Sequence, residues 1–427
     1  MFRKSGFVSV AVALIVLGVC IAPCAAQSNV TSVSKRGSLL IFPKVVTIAT
    51  EGEDAGETFV ETIITIGNDY PAAVAVKCYW MDSDQKSWDF VFTMTAYQPV
   101  WFKASDGHGS VDVPGFGYNK QGELKCWAIK DLPNPSNPGE TLETQISWNY
   151  LYGSASLIIY FPYAGSFEYN PYVFAARNTA RGDAVITPPD TGPGTLVLNG
   201  SFTDKGYDAC PAYLTFNFFA EDNFVDGASG LGQGLDFFAG ESDLALTPCK
   251  QDFRQDNGPI CSKVKFDIWN ENEAKLTGSY QCIKCWFEGI LSEIGTPIWE
   301  KCDLGTKCKS TGVGGQKFTK AYLKTDLGRF RVTPDTFAAC KGVFAKLGQD
   351  GKTPVDVCGD PANQVKTPFL GVLLTGFGIF DTTFDRGVVV TAATPATAGS
   401  WTAGAPSQPL PGILWDPGVG DRPAAKR

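Results

Sequence analysis

The cysteines of Cys282-x-x-Cys285 are the residues whose types and spacing most directly suggest chemistry. Two thiolates at this spacing can bind zinc, cycle between dithiol and disulfide, or enter separate structural disulfides. A zinc ribbon needs a second tight pair, but Cys302 and Cys308 have five residues between them. A thioredoxin-like site needs a helix that starts at the pair, and no helix signal follows it. Structural disulfides are therefore the favoured interpretation, with zinc and redox chemistry as the alternatives.

A β-hairpin must position this pair. Residues 263–269 alternate in character, residues 270–278 are polar and turn-forming, and residues 279–288 are extended and aromatic. Side chains three positions apart on one strand point to opposite faces of the sheet. We therefore expect Cys282 and Cys285 to join different partners.

Histidine chemistry is almost excluded by composition, because His108 is the only histidine in the chain. A c-type haem needs the pattern C-x-x-C-H, and Trp286 occupies the position of the histidine. His108 lies in a glycine-rich loop, without the G-x-S-x-G elbow that would suggest a serine nucleophile. The sequence therefore predicts no catalytic residue, no cofactor-binding residue and no metal ligand.

Carboxylate chemistry remains open, since two of the 44 acidic residues could hydrolyse a glycosidic bond without histidine. No pattern in the sequence selects such a pair. Asp82-x-Asp84 and residues 350–356 weakly resemble calcium loops, but neither has the ligand spacing of an EF-hand. Turn formation is the favoured interpretation of both. The Arg-Gly-Asp tripeptide at residues 181–183 is too short to predict adhesion.

Aromatic residues offer another way to recognise glycans, because exposed rings can stack on sugars. Four tryptophans lie near predicted strand positions: Trp80, Trp88, Trp127 and Trp286. Packing between sheets is the favoured interpretation, since large aromatic side chains dominate protein cores. A row of exposed aromatic residues on one sheet would instead indicate a glycan-binding face.

The N-terminus predicts export. Arg3 and Lys4 precede an apolar run over residues 7–22, and the small residues that follow predict a signal peptide over residues 1–26. No later stretch is apolar enough for a membrane helix. The net charge of −8 offers no electrostatic footprint for nucleic acid. The expected location is secreted, periplasmic or cell-surface, and the expected partner is a cell-surface protein or a glycan.

Export places the remaining cysteines in an oxidising compartment, where disulfides persist. Of 13 cysteines, Cys20 and Cys24 belong to the signal peptide, and the odd remainder leaves at least one outside any intramolecular disulfide. Cys78 and Cys126 both lie on predicted strands of the first domain and are expected to pair. The disulfide candidates are Cys78, Cys126, Cys210, Cys249, Cys261, Cys282, Cys285, Cys302, Cys308, Cys340 and Cys358.

Short strands between Gly, Pro and Asn turns predict an all-β chain of two tandem immunoglobulin-like β-sandwich domains. The second domain is expected to be enlarged and rich in disulfides. The predicted divisions are a disordered segment at 27–36, the first domain at 37–177, a linker at 178–194, the second domain at 195–393 and a disordered tail rich in Pro, Gly and Ala at 394–427.

Two stretches of the sequence resemble a group of exported bacterial β-rich proteins. The first is G-S-L-L-I-F-P-K at residues 37–44, and the second comprises W-N-E-N-E at 269–273 and Y-Q-C-I-K-C-W-F-E at 280–288. The resemblance covers most of the mature chain and implies an exported bacterial β-protein, with no catalytic or binding residue to carry over. We predict a non-enzymatic structural or binding protein of the bacterial envelope or exterior. The alternative is a glycan-binding module, or a glycan-active hydrolase that uses surface aromatics and a carboxylate pair.

Overall fold

The computed structural model of the chain is all-β. It describes residues 30–33, 35–49, 59–83, 86–108, 111–134, 136–160, 165–177, 184–185, 196–200, 206–220, 223–225, 235–249, 259–295, 310–347, 353–381, 386–395 and 397–398. The predicted signal peptide lies outside these residues. Within them, no helix is long and apolar enough to cross a membrane.

The first half of the described chain is built from β-strands, and several of them are buried along most of their length. These strands are β1 (Leu39–Ala49), β2 (Phe59–Asn68), β3 (Val74–Asp82), β4 (Ser87–Met94), β5 (Pro99–Lys103), β6 (Gly107–His108), β7 (Val113–Pro114), β8 (Lys120–Pro133), β9 (Thr141–Ser147), β10 (Leu151–Tyr160), β11 (Gly165–Tyr169), β12 (Tyr172–Phe174) and β13 (Ala184–Val185).

Two sheets of the first half share β1 and bury their inner side chains in one hydrophobic cluster. The inner sheet has the order β12–β1–β8–β3–β4. The open sheet has the order β11–β10–β2–β5–β6, and its β2 pairs with the end of β1. The register of β1 against β8 shifts between Phe42 and Val45, because Pro43 cannot donate to the ladder and the strand bulges there.

Within its described residues, the second half adds further strands and five single-turn helices. The strands are β14 (Leu214–Phe219), β15 (Asn223–Val225), β16 (Leu235–Pro248), β17 (Cys261–Asn270), β18 (Lys275–Lys284), β19 (Phe287–Ile290), β20 (Gly312–Val313), β21 (Leu327–Asp335), β22 (Ala345–Leu347), β23 (Pro354–Asp356), β24 (Phe369–Asp381), β25 (Arg386–Pro395) and β26 (Thr397–Ala398). One helix is α-helical, α1 (Lys320–Leu323), and the 3₁₀ turns are Leu291–Glu293, Gly315–Phe318, Phe337–Cys340 and Pro361–Asn363.

Two larger sheets organise the second half. The middle sheet has the order β15–β16–β24–β25, with β19 also paired to β16. The outer sheet has the order β20–β18–β17–β21–β14–β26. Its β17 and β18 form the hairpin that the sequence predicts, and Lys265 lies opposite Tyr280 in that hairpin.

Strands β16 and β24 join the two halves through their alternating side chains. Ala245 and Val372 lie opposite each other and belong to the hydrophobic cluster of the first half. Leu244 and Leu373 form the neighbouring pair and belong to a second cluster, which joins most of the buried second-half residues to Leu39 and Ile41 of β1. Since successive side chains on a strand point to opposite faces, one two-stranded ribbon contributes to both cores.

The described residues of three segments that were predicted to lie outside the domains pair with the rest of the chain. In the segment at 27–36, Thr31 N–H donates to the carbonyl oxygen of Ala209 over 2.9 Å. In the predicted linker, Ala184–Val185 pairs with β9. The predicted tail at 394–427 starts within β25, and β26 pairs with β14. Polar or Pro-rich composition argues against a packed core, but the unpaired backbone of a sheet edge can still bind such segments.

Candidate functional site

Four disulfides join eight of the candidate cysteines in the described part of the chain. Cys78 and Cys126, the pair expected from the sequence, lie opposite each other on β3 and β8 with their Cα atoms 4.1 Å apart. This disulfide lies within the inner sheet, whereas the disulfide of antibody domains connects two sheets. The other three disulfides are Cys210–Cys249, Cys261–Cys358 and Cys282–Cys340. Cys302 and Cys308 lie outside the described residues.

The Cys282-x-x-Cys285 pair is separated by a turn. Cys285 has a left-handed φ of 62°, which non-glycine residues seldom adopt, and Trp286 N–H donates across it to the Lys284 carbonyl oxygen over 2.7 Å. The prediction of one continuous strand over residues 279–288 is therefore wrong, because β18 ends before the turn and β19 joins the middle sheet. Cys282 is disulfide-bonded, whereas Cys285 is a buried thiol whose pKa burial raises to about 11.

The acidic segments that resemble calcium loops act as turn caps where the structure describes them. The Asp82 carboxylate accepts from Lys86 N–H over 2.8 Å, and the Asp356 carboxylate accepts from Gly342 N–H over 2.8 Å. No group of three or more His, Cys, Asp or Glu side chains is arranged to hold a metal within the described residues. Outside those residues lie Asp84, Asp350 and the tripeptide at 181–183.

A carboxylate pair that the sequence could not select lies where the two halves meet. Lys44, at the bulge of β1, is buried, and its ammonium group lies 2.5 Å from the Asp243 carboxylate and also contacts the Glu288 carboxylate. Asp243 comes from β16 and Glu288 from β19, so these strands bring together three charged groups that are distant in sequence. The Lys44 cluster is defined here as these three residues.

Burial controls the protonation of the Lys44 cluster. It raises the pKa of Glu288 to about 7, because the attraction of Lys44 only partly offsets the loss of water and the repulsion of Asp243. Burial alone would lower the pKa of Lys44, but the two carboxyl groups outweigh it and the pKa is raised. One ammonium group neutralises one carboxylate, and the second carboxyl group can therefore keep its proton up to near-neutral pH.

The two stretches that carry the family resemblance meet at this cluster. Lys44 closes the first stretch, and Glu288 closes the second. Next to their contact, the indole Nε1 of Trp286 donates to the carbonyl oxygen of Pro43 over 2.8 Å. The bulge of β1 is therefore held by the turn that follows β18.

A second buried ion pair lies on the same side of the inner sheet. The ammonium group of Lys125 lies 2.6 Å from the carboxylate of Glu123, and the hydroxyl of Thr247 on β16 donates to that carboxylate. Burial lowers the pKa of Lys125, although Glu123 opposes that shift. Both polar clusters are thus built across the contact between the halves, where buried charges need partners.

The tryptophans named from the sequence mostly fill the cores. Trp80, Trp127 and Trp286 are buried, as the favoured interpretation expects, and Trp88 is 38% exposed. The more exposed indole is Trp101, at 49%, on a strand that the sequence did not predict.

Trp101 belongs to the outward side of the open sheet, which we call the open face. Tyr152 on β10 is 43% exposed on the same side. Thr65 on β2 lies between the two strands, paired with Trp101 on one side and with Ser154 on the other. Strand geometry places Trp101 and Tyr152 about 12 Å apart across the sheet. The open face therefore presents two aromatic rings separated by hydroxyl groups.

Local contacts fix both rings of the open face. The ring of Tyr152 lies over Gly67, where a Cβ atom would overlap it. The ring of Trp101 packs edge to face against His108, with their centres 4.9 Å apart. The single histidine of the chain therefore supports an exposed indole.

A cleft of about 770 Å³ opens beside Tyr152 at one end of the open face. The guanidinium group of Arg36 pairs with the carboxylate of Asp69 in this cleft, and Asn170 contributes an amide. These groups can donate and accept hydrogen bonds in fixed planar geometries. An aromatic ring beside them provides the mixture of apolar and polar surface that small-molecule sites use.

Comparison with known families gave no match, and neither did comparison with curated proteins. Among solved structures, a Thermotoga maritima protein, "Thermotoga maritima 1070", has 7% identity and a TM-score of 0.22, and the match covers 32% of this chain and 95% of that one. The PBSX exported protein XepA has 11% identity and a TM-score of 0.13, with 70% of this chain and 87% of that one covered. Similarity this low supports no inference about fold or function.

Proposed function

We propose that this chain is an exported, non-enzymatic binding protein of the bacterial envelope or exterior, and that its open face binds a glycan. The observation that carries the proposal is the pair of exposed rings, Trp101 and Tyr152, on one face of one sheet. Aromatic faces stack on the apolar side of sugar rings, while the groups of the neighbouring cleft can bond to hydroxyls.

Export is supported by the signal-peptide pattern at residues 1–26 and by the four disulfides, which persist outside the cytoplasm. We also propose that the finer architecture is two tandem immunoglobulin-like sandwiches. In that description the inner and open sheets form the first sandwich, and the middle and outer sheets form the second.

Binding is preferred to hydrolysis for a specific reason. The carboxyl groups of Asp243 and Glu288 share the ammonium group of Lys44 in the contact between the halves. The rings that would hold a sugar lie on the open sheet, on strands β5 and β10. A retaining or inverting glycosidase instead needs its two carboxyl groups on either side of the bound glycosidic bond.

A glycan array probed with the mature protein, followed by calorimetry with the saccharide that binds best, tests the proposal. Tyr152→Ala and Trp101→Ala are each expected to weaken binding about tenfold, equal to about 1.4 kcal/mol. Tyr322→Ala is the matched control, because Tyr322 is 39% exposed on α1, away from the open face. Absence of any bound glycan, or equal losses in all three variants, would contradict the proposal. Release of shortened saccharides would instead favour the hydrolase.

A further inference from the structure

The outward side of the outer sheet carries a group of cations in aligned rows. Across the paired strands, Arg329 lies opposite Trp269, and Trp269 lies opposite Lys275. Farther along β17, Lys265 lies opposite Tyr280. We call this surface the cationic face, and its cations are Lys263, Lys265, Lys275, Arg329 and Arg331.

Positive charge exceeds negative charge on the cationic face, although the whole chain has a net charge of −8. Its two carboxylates are Asp267 and Asp335, and the turn beyond β17 adds Glu271 and Glu273 at one end. Three of the five cations surround the single carboxylate of Asp267. Those cations are Lys265 at 3.2 Å, Lys275 at 3.0 Å and Arg331 at 3.0 Å.

Two observations reflect this excess of positive charge: the pKa of Asp267 is lowered, and Arg329 forms no ion pair among the described residues. Partial burial would raise the pKa of Asp267, but hydrogen bonds from the three cations lower it to about 2. Arg329 is exposed and forms no ion pair among the described residues, and its guanidinium carbon lies 5.9 Å from the centre of the Trp269 ring. Lys263 pairs with Asp335, and the other three cations share Asp267. Arg329 and the charge that Asp267 does not neutralise are therefore available to an external anion.

Aromatic rings hold these cations in place. Trp269 also contacts Lys275 at 5.4 Å and Arg331 at 5.5 Å, and Lys263 lies 4.6 Å from the ring centre of Tyr280. Cation–π contacts restrict long side chains before any ligand arrives, which reduces the entropy lost on binding. They also occupy the ring faces, so neutral sugars have less room to stack here than on the open face.

We propose that the cationic face binds an acidic polysaccharide, a glycan chain with carboxylate groups at repeated intervals. The cations extend from Lys263 to the row of Trp269 and Arg329, which is about 20 Å along the strands. A single small anion cannot span that distance, whereas an extended polymer can contact successive cations. The proposal rests on charge and geometry at the outer sheet, and it is independent of the open face.

The test measures the affinity of the mature protein for polygalacturonate by calorimetry at low and moderate salt, with neutral dextran as the uncharged polymer. The variant Arg329→Gln/Lys265→Gln removes two exposed cations and is expected to weaken binding about tenfold, since each exposed ion pair contributes modestly. Binding by the native protein is expected to fall as salt rises. Arg329→Lys keeps the charge and is expected to keep most of the affinity.

The matched control is Lys86→Gln/Lys130→Gln, which makes the same change in net charge at exposed positions of the first half. It is expected to leave the affinity unchanged. Equal weakening by both double variants would overturn the proposal, because bulk charge would then explain the binding. Preferential binding to phosphatidylglycerol vesicles or to duplex DNA over polygalacturonate would also overturn it. Unfolding midpoints near that of the native protein confirm that the variants fold.

Discussion

The indole Nε1 of Trp286 lies 2.8 Å from the carbonyl oxygen of Pro43, and this hydrogen bond joins residues 243 positions apart. It forms where β1 bulges, beside the ammonium group of Lys44. Pro43 cannot donate to the sheet, so the bulge leaves backbone groups that need partners from elsewhere. Trp286 of the second half supplies the partner for the Pro43 carbonyl, whereas the hydroxyl of Tyr169 in the first half bonds to the backbone of Lys44. Buried polar groups therefore add to the apolar contact between the halves.

Removal of the buried cation should destabilise this contact strongly. Lys44→Ala is expected to lower the free energy of unfolding by up to about 3–5 kcal/mol, because Asp243 and Glu288, whose side chains are only 33% and 14% exposed, would lose their shared cation. Urea titrations at pH 8, followed by tryptophan fluorescence, measure the change. Lys103→Ala is the control. The side chains of Lys103 and its partner Asp106 are each 43% exposed, so this ion pair should contribute less than about 1 kcal/mol. Similar losses in the two variants would contradict the role assigned to Lys44.

The stability of the folded protein should fall as pH rises towards neutrality, because Glu288 loses its proton. Its pKa is raised from 4.5 to about 7 in the folded state, so the folded state holds the proton more tightly than the unfolded state. The stabilisation is complete below pH 4.5 and is lost as pH rises through about 7. The protonation of Glu288 can contribute at most about 3 kcal/mol to the free energy of unfolding. In Glu288→Gln, this part of the pH dependence should disappear, which urea titrations from pH 4 to pH 9 can measure relative to the native protein. A difference between the two proteins that does not change with pH would argue against the raised pKa.

The thiol of Cys285 should resist alkylation while the protein is folded. It is buried and its pKa is about 11, so both access and the thiolate form are limited. Treatment with iodoacetamide under native and then denaturing conditions, followed by non-reducing peptide mapping, is expected to label Cys285 only after unfolding. The same maps report the four disulfides. Rapid labelling of Cys285 in the native protein would contradict its burial.

Gly67→Ala should weaken glycan binding although neither Trp101 nor Tyr152 is substituted. A Cβ atom at Gly67 would overlap the Tyr152 ring and displace it from the open face. We expect a loss of affinity similar to that of Tyr152→Ala, about tenfold. Gly278→Ala is the control, because its Cβ would meet only Lys265, at 3.8 Å. Unchanged affinity in Gly67→Ala would show that the position of Tyr152 does not matter for binding.

Local composition explains which strands could be predicted. The strand predicted over residues 74–80 is observed as Val74–Asp82, because a run of β-branched and aromatic residues that follows a turn indicates a strand without reference to distant contacts. The turn at Cys285 has no such local signal. Its left-handed backbone follows from the pairing of β19 with β16, which is a contact between segments far apart in sequence.

The residues of the Lys44 cluster and of the open face were harder to predict, because distant segments bring them together. Asp243 and Glu288 become neighbours because β16 pairs with β19, and nothing local distinguishes them from the other acidic residues. Trp101 could have been found, since residues 99–103 alternate between exposed and buried positions. The missed signal was a short strand that starts at a proline, a position typical of sheet edges and strand ends.

The ribbon of β16 and β24 determines when the first half of the chain can finish folding during synthesis. Lys44 contacts Glu288, 244 positions later, and Tyr172 bonds to the carbonyl oxygen of Gly371, 199 positions later. Because chains emerge from the ribosome N-terminus first, β1 must wait until most of the protein exists before its outer side is covered. A nascent chain that stops before β16 would leave Leu39 and Ile41 without that cover and would be prone to aggregate. The first half is thus translated early but becomes complete only when the last long strands arrive.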